Sequence, residues 1–195
     1  MSQKMHSKRS RRRTEMLADI DSIMSRVSDL DPMLDIILDI TAKETHSERT
    51  SLFLNDSRTN ELFTRKATGI GAEEIRVPND SGFVGHAFQT GEGFIINDAY
   101  ADPRFNPEVD RQTGFRTRNI LCVPVRTPEG EVIGAAQALN KLDGDFNEDD
   151  RVCLDAMAMR AANSLRQAEF AERMDPPFVR AIKNLFRYIS GDRSG

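Results

Sequence analysis

Apolar positions along this chain repeat first with a helical period, then in alternation, then with a helical period again. Between residues 14 and 30, Ile20, Met24 and Val27 fall at heptad spacing that continues to Asp31, with Leu17, Ile23 and Leu30 beside them. Recurrence at i, i+3, i+4 and i+7 predicts an amphipathic helix, and its stripe can meet a second copy of itself. Asp31-Pro32 reads as an N-cap followed by proline at the first helical position. The helix it opens runs to about Thr45, and Leu34, Ile37, Leu38 and their neighbours make a stripe wide enough to lie on a sheet.

The period then changes to two. Over Ser51–Asn55, Leu52 and Leu54 fall on one face and Ser51 and Phe53 on the other. Residues 56–60 have turn composition, and Glu61–Ala67 pairs back as a hairpin. A short strand over Glu74–Val77 ends at Pro78, a short helix over Gly82–Thr90 closes at Gly91, and another strand covers Gly93–Asn97. Asn119–Arg126 and Glu131–Asn140 form a hairpin across residues 127–130. The helical period returns from about Asn147 to Met174, with a stripe of Leu154, Ala158, Ala161, Leu165 and Ala168. Asp175-Pro176-Pro177 breaks that helix. Phe178, Ile182, Leu185 and Ile189 then mark a short amphipathic helix expected to dock on the domain.

These elements predict an α+β fold: a six-stranded antiparallel sheet, N- and C-terminal helices on one face, and a ligand pocket under helix and lid segments on the other. A disordered basic tail is expected over residues 1–13, a linker or dimer helix over 14–30, the domain over 31–174, and an amphipathic helix with a tail over 175–195.

Composition narrows the class. A chain of 195 residues with 38% apolar content fits one modest core with helical extensions. No apolar run is long enough to cross a membrane as a helix, and no apolar segment of a signal peptide follows the basic N-terminus. The two cysteines, Cys122 and Cys153, lack metal-ligand spacing and read as buried reduced thiols of a cytoplasmic protein. Six cations crowd the first thirteen residues, so the rest of the chain is more acidic than the net charge of −4 suggests. Without interleaved aromatics that tail reads as solvated, not as a nucleic-acid arm. His6 and His46 add no metal pattern, and no nucleophile, base and orienting group stand together.

Two segments carry candidate chemistry. In Gly82-Phe83-Val84-Gly85-His86 the capping residues Asn79, Asp80 and Ser81 precede a helix start, where free amides and the positive dipole end favour a phosphate. The bland alternative is a tight turn with a structural histidine. From Asp102 to Arg118 the chain is too polar for core and too long for a minimal connection. Asp110, Thr113, Thr117 and several arginines there can serve a ribose and an anion as a lid, or simply face solvent.

Between about residues 31 and 174 the chain resembles the GAF family, within it the cyclic-nucleotide-binding subgroup found in phosphodiesterases and bacterial adenylyl cyclases. The residues that carry the resemblance include Gly82, Gly85-His86, Asn97-Asp98-Ala99-Tyr100, Asp102-Pro103, Phe105, Thr113-Gly114-Phe115-Arg116-Thr117, Pro124 and Gly134. Asn140-Lys141, Phe146 and Asp150 continue the match to an Asn-Lys-Phe-Asp-Glu signature, whose final glutamate is replaced here by Arg151. The resemblance implies a lid-stabilising salt bridge between Lys141 and Asp150. It implies that Ser51 reaches a purine, that Ala67 and Thr68 sit beside the base, and that Phe83 and Val84 supply amides and apolar contact. Asn106 would meet the phosphate through its main chain, Asp110, Thr113 and Thr117 would surround phosphate and ribose, and Gln137 would face the pocket.

Guanine-selective members can carry an acidic residue where Thr68 stands and an aromatic one where Ala67 stands. Neither is present, so cAMP is expected over cGMP. The resemblance thus implies a regulatory sensor, not an enzyme, that takes no metal or cofactor and signals through its terminal helices in a homodimer to an output domain or partner protein. A GAF-fold sulfoxide reductase or bilin photoreceptor would need pocket cysteines. The competing expectation is a structural dimerisation module whose pocket is empty or takes another ligand.

Overall fold

The computed structural model describes residues 29–68 and 74–174, with side chains through residue 170. Residues 14–28 of the helix predicted over 14–30, the helix predicted over 178–189 and the basic tail lie outside the described residues. Helix α1 spans Leu30–Glu44, and its N-cap is Asp29, not Asp31. Asp31 sits in the first turn, where its carboxylate pairs with Arg65 instead of capping. Pro32 is tolerated there because a first-turn residue has no intrahelical acceptor to lose.

Strands follow as β1 (Ser47–Asp56), β2 (Glu61–Ala67), β3 (Arg76–Pro78), β4 (Phe94–Ile96), β5 (Ile120–Arg126) and β6 (Val132–Lys141). They form one sheet in the order β3-β2-β1-β6-β5-β4, antiparallel at every pairing. β1 is longer than its alternation predicted, because it pairs with β6 from Ser47↔Lys141 to Leu54↔Gly134. Gly134 makes this pairing possible: a Cβ there would lie 2.0 Å from the Phe53 carbonyl oxygen.

Period-two alternation sorts the two faces. Leu52, Leu121, Val123, Val125, Ala136 and Ala138 point to the rear, against Leu34, Ile37 and Leu38 of α1. Helix α4 (Glu148–Met174) completes that layer with Leu154, Met157, Ala158, Ala161 and Leu165. The two terminal helices of the domain therefore share one face, as their stripes predicted. Phe53, Cys122, Ala135 and Ile120 point forward, against helix α2 (Gly82–Thr90) and the segment that follows β4. Cys153 is only half-buried, unlike Cys122, and neither forms a disulfide. Among the described residues no helix is long and apolar enough to cross a membrane.

Candidate functional site

The front face of the sheet and its cover enclose a cavity. Ser51 and Phe53 of β1, Ile120 of β5, and Gln137 and Leu139 of β6 form its floor. Arg49, Ile75 and Val77 edge it, and residues 81–84 at the start of α2 close one side. The remaining wall comes from the lid, through Phe105, Asn106, Val109, Asp110, Thr113, Phe115 and Thr117. The interior leaves about 80 Å³ for the centre of a water-sized sphere, room for several waters.

The lid is more ordered than a polar excursion. It holds a 3-10 turn at Ala99–Ala101 and a seven-residue helix, α3 (Pro107–Thr113), which the alternation of the sequence did not reveal. Asn106 caps α3 by accepting from the Glu108 amide at 3.0 Å, Pro107 takes the first helical position, and Gly114 ends it in the left-handed region. Asp110 of α3 is buried, and its carboxylate accepts from the Thr117 amide at 2.7 Å and the Thr117 hydroxyl at 2.7 Å. These bonds fold the lid back toward β5. On the floor, the Gln137 amide donates to the Ser51 hydroxyl at 3.0 Å. Arg49 places its guanidinium over the Phe115 ring, 3.9 Å from the centroid, joining β1 to the lid.

At the other side, α2 starts at Gly82, whose φ of 67° is open to glycine at little cost. Ser81 is its N-cap but makes no side-chain capping bond, so first-turn amides remain available for a ligand acceptor. A shallower cleft adjoins the cavity here, shares Ser81, Gly82, Phe105 and Asn106 with it, and adds His86 and Arg104. Arg104 donates to both carboxylate oxygens of Asp102, at 2.9 and 2.7 Å. Those bonds hold the Asp102 carboxyl down at about 2, below its usual 3.8. His86 meets the Phe94 ring edge-on at 5.4 Å, which is a packing role. Cys122 is fully buried and lies outside the cavity lining, and burial pushes its thiol well up, away from the reactive thiolate.

A family model for the GAF domain matches residues 29–165. The chain belongs to the GAF domain family. A GAF domain is a regulatory small-molecule sensor, and the fold seen here is the GAF fold. Among curated proteins, the chain is 31% identical over 177 residues to the probable 3',5'-cyclic phosphodiesterase pde-5 of Caenorhabditis elegans, covering 84% of this chain and 24% of that protein. It is 37% identical over 125 residues to the dual 3',5'-cyclic-AMP and -GMP phosphodiesterase 11 of Drosophila melanogaster, covering 63% of this chain and 9% of that one. The chain thus spans a quarter or less of the curated relatives it matches. The GAF domain of an Acinetobacter phosphoenolpyruvate-protein phosphotransferase superposes with a TM-score of 0.70 at 21% identity, over 83% of this chain and 97% of that one.

Eight of the ten ligand residues expected from the sequence line this GAF cavity together: Ser51, Phe83, Val84, Asn106, Asp110, Thr113, Thr117 and Gln137. Ala67 and Thr68 do not. The Thr68 hydroxyl accepts from the Thr50 amide at 2.9 Å, and the Thr50 hydroxyl in turn donates to the Leu38 carbonyl of α1. Thr68 is thereby tied to the rear of the sheet. Arg49, which the family resemblance does not mark, lines the cavity instead. It shares the forward parity of Ser51 and Phe53, and a cation at that parity was the signal for it.

The Lys141–Asp150 pair forms as expected, at 2.7 and 2.8 Å with both side chains nearly buried, but it is not placed at the lid. Lys141 also donates to the Thr45 carbonyl at the end of α1. Asp150 accepts from the Asn147 amide while Asn147 accepts from the Asp150 amide, a reciprocal cap on α4. The pair therefore fastens β6 to the ends of both rear helices. The neighbouring Asn140 is the one that holds the lid's return: it accepts from the Arg118 amide at 2.6 Å and donates to the Arg116 carbonyl at 2.8 Å. Among the described residues no acidic, histidine or cysteine cluster could hold a metal ion.

Proposed function

We propose that this GAF domain is a regulatory sensor whose cavity takes a cyclic nucleotide, with cAMP favoured over cGMP. The observation that carries the reading is the convergence of Ser51, Gln137, Asp110, Thr113 and Thr117 with the start of α2 around one enclosed space. Hydroxyls and an amide suit a ribose and a purine, and a helix start suits a phosphate. The phosphodiesterase relatives support the same ligand class. Guanine offers N–H donors that need acceptors, and the one carboxylate among the described lining residues, Asp110, is already engaged by Thr117. An unpaired buried donor costs roughly 1–3 kcal/mol, which disfavours cGMP.

Ligand entry closes the lid over the cavity. Asn140 senses the lid's return segment at residues 116–118, and the adjacent Lys141 passes the change through Asp150 to α4 and through Thr45 to α1. In this reading α4 then signals across a homodimer of a cytoplasmic protein. Met159 and Phe170 are exposed on α4 at 62% and 67%, three turns apart on one side, and suit a partner helix. The output domain or partner protein lies beyond this GAF domain.

Melting the purified chain with cAMP, with cGMP and with neither tests the reading. A ligand at about 100 times its Kd stabilises by about 2.7 kcal/mol, so cAMP should raise the midpoint by several degrees and cGMP by less. If neither nucleotide at millimolar concentration moves the midpoint, the cavity is not a cyclic-nucleotide site. Met159→Glu with Phe170→Glu should lower the measured mass in solution from dimer to monomer.

A further inference from the structure

Tyr100 does not line the cavity, yet it touches three parts of the lid that bear on it. Its hydroxyl donates to Asp110 Oδ2 at 3.0 Å. Its ring lies 4.6 Å from that of Phe105, centroid to centroid, and the Arg116 guanidinium sits over it at 4.9 Å. Phe105 and Asp110 are cavity walls, and Arg116 precedes the wall residue Thr117. Asp110 has two oxygens and three donors: Thr117 Oγ1 on Oδ1, and the Thr117 amide with the Tyr100 phenol on Oδ2. Burial first, and then the Asp110 hydrogen bond, raise the phenol above its ordinary ionisation range, so it remains a neutral donor at physiological pH.

We infer that Tyr100 is a positioning residue that latches the lid over the cavity, acting on a bound ligand through Asp110. The 3-10 turn at Ala99–Ala101 supplies the fixed side of the latch. The Ala99 amide bonds the Arg118 carbonyl at 2.8 Å, and the Ala99 side chain is fully buried. α3 is the moving side: seven residues, with Val109 and Asp110 turned inward and Glu108, Arg111 and Gln112 exposed. So short a helix does not hold itself, and the Asp110 bonds fix its orientation. Tyr100 is 48% exposed, so the latch opens toward solvent without disturbing the core behind the sheet. Its consequence is kinetic: losing the phenol bond speeds lid opening and ligand escape and leaves the cavity walls chemically unchanged.

This inference rests on the sensor reading for its effect on ligand, but its first test needs none. Tyr100→Phe keeps the ring contacts and removes the hydroxyl. Hydrogen–deuterium exchange of the ligand-free chain should accelerate about tenfold at amides of residues 107–118. Amides of β1 and β6 should exchange as in the wild type. With cAMP as probe, the dissociation rate should rise by a similar factor while the association rate changes less. Unchanged exchange at 107–118 in a folded Tyr100→Phe protein overturns the latch. Should that variant lose β1 and β6 protection as well, exchange at 107–118 relative to those strands decides: a larger loss under the lid supports the latch and an equal loss overturns it. Faster lid exchange with neither cAMP nor cGMP bound by the wild type keeps the latch and refutes the cyclic-nucleotide reading.

Discussion

Two faces of one sheet are built from the same strands by the same alternation, yet they are completed differently. Behind the sheet, Leu52, Leu121, Val123 and Val125 pack with α1 and α4 into one continuous apolar cluster. In front, the intervening residues meet two smaller clusters and a cavity whose polar groups bond one another, as Gln137 does Ser51 and Asp110 does Thr117. Close packing on the rear resists any loss of volume. Hydrogen bonds on the front can be exchanged for those of a ligand at little net cost. Close packing thus fills one side of the sheet, and exchangeable hydrogen bonds line the other.

The sharpest way to break this contrast is to cut each face once. Leu154→Ala, at a fully buried rear position, should cost about 2–5 kcal/mol in denaturant unfolding. Ser51→Ala should cost about 1 kcal/mol or less and instead weaken nucleotide binding, because the Gln137 amide that donates to it lines the cavity, where water can replace the lost hydroxyl. Equal costs would erase the contrast.

Asp150→Ala should come next, near 3 kcal/mol, because it strips the nearly buried Lys141 ammonium of its carboxylate and removes a cap from α4. The unfolding midpoint of the whole domain should fall. A normal midpoint with loss of ligand affinity alone would place the pair at the lid after all.

Thr68→Asp should cost about 1–2 kcal/mol by disturbing the bond from the Thr50 amide. It should leave the ratio of cAMP to cGMP affinity as it was. A swing toward cGMP, measured by calorimetry, would return base reading to Thr68.

Acid gives a smaller effect. The Asp102 carboxyl is depressed from 3.8 to about 2 by Arg104. Its contribution is present in full above its unfolded value and disappears as pH falls through its folded value. Melting midpoints of wild type and Asp102→Asn should therefore converge between 3.8 and about 2. Parallel curves through that window would mean that the Arg104 clasp adds nothing to the lid. Smallest of all, Arg166→Ala removes an exposed pair with Glu129 and should change stability by less than about 0.5 kcal/mol.

How much of this was legible beforehand follows from what is local in sequence. Strand parity is local, so the opposition of Leu52 and Leu54 to Ser51 and Phe53 could be read directly, and with it the two faces. Helix α3 escaped because Val109 is its one apolar residue, too few to show a period, although Asn106-Pro107 and Gly114 carried its start and stop signals. The place of Thr68 escaped for a different reason. A register shift between Leu52 and Phe53 resets how the end of β2 faces β1, and that is decided by pairing between distant residues. Lys141 and Asp150 could be paired from the family signature, but their seat beside Thr45 depends on where α1 ends.

Hydrogen–deuterium exchange with and without saturating cAMP decides whether the front face is the ligand site. Binding there should slow exchange most at residues 81–85 and 105–118, with smaller changes at the end of α1 and the start of α4, which Lys141 joins. No protection under the lid, or protection confined to the rear helices, would contradict it.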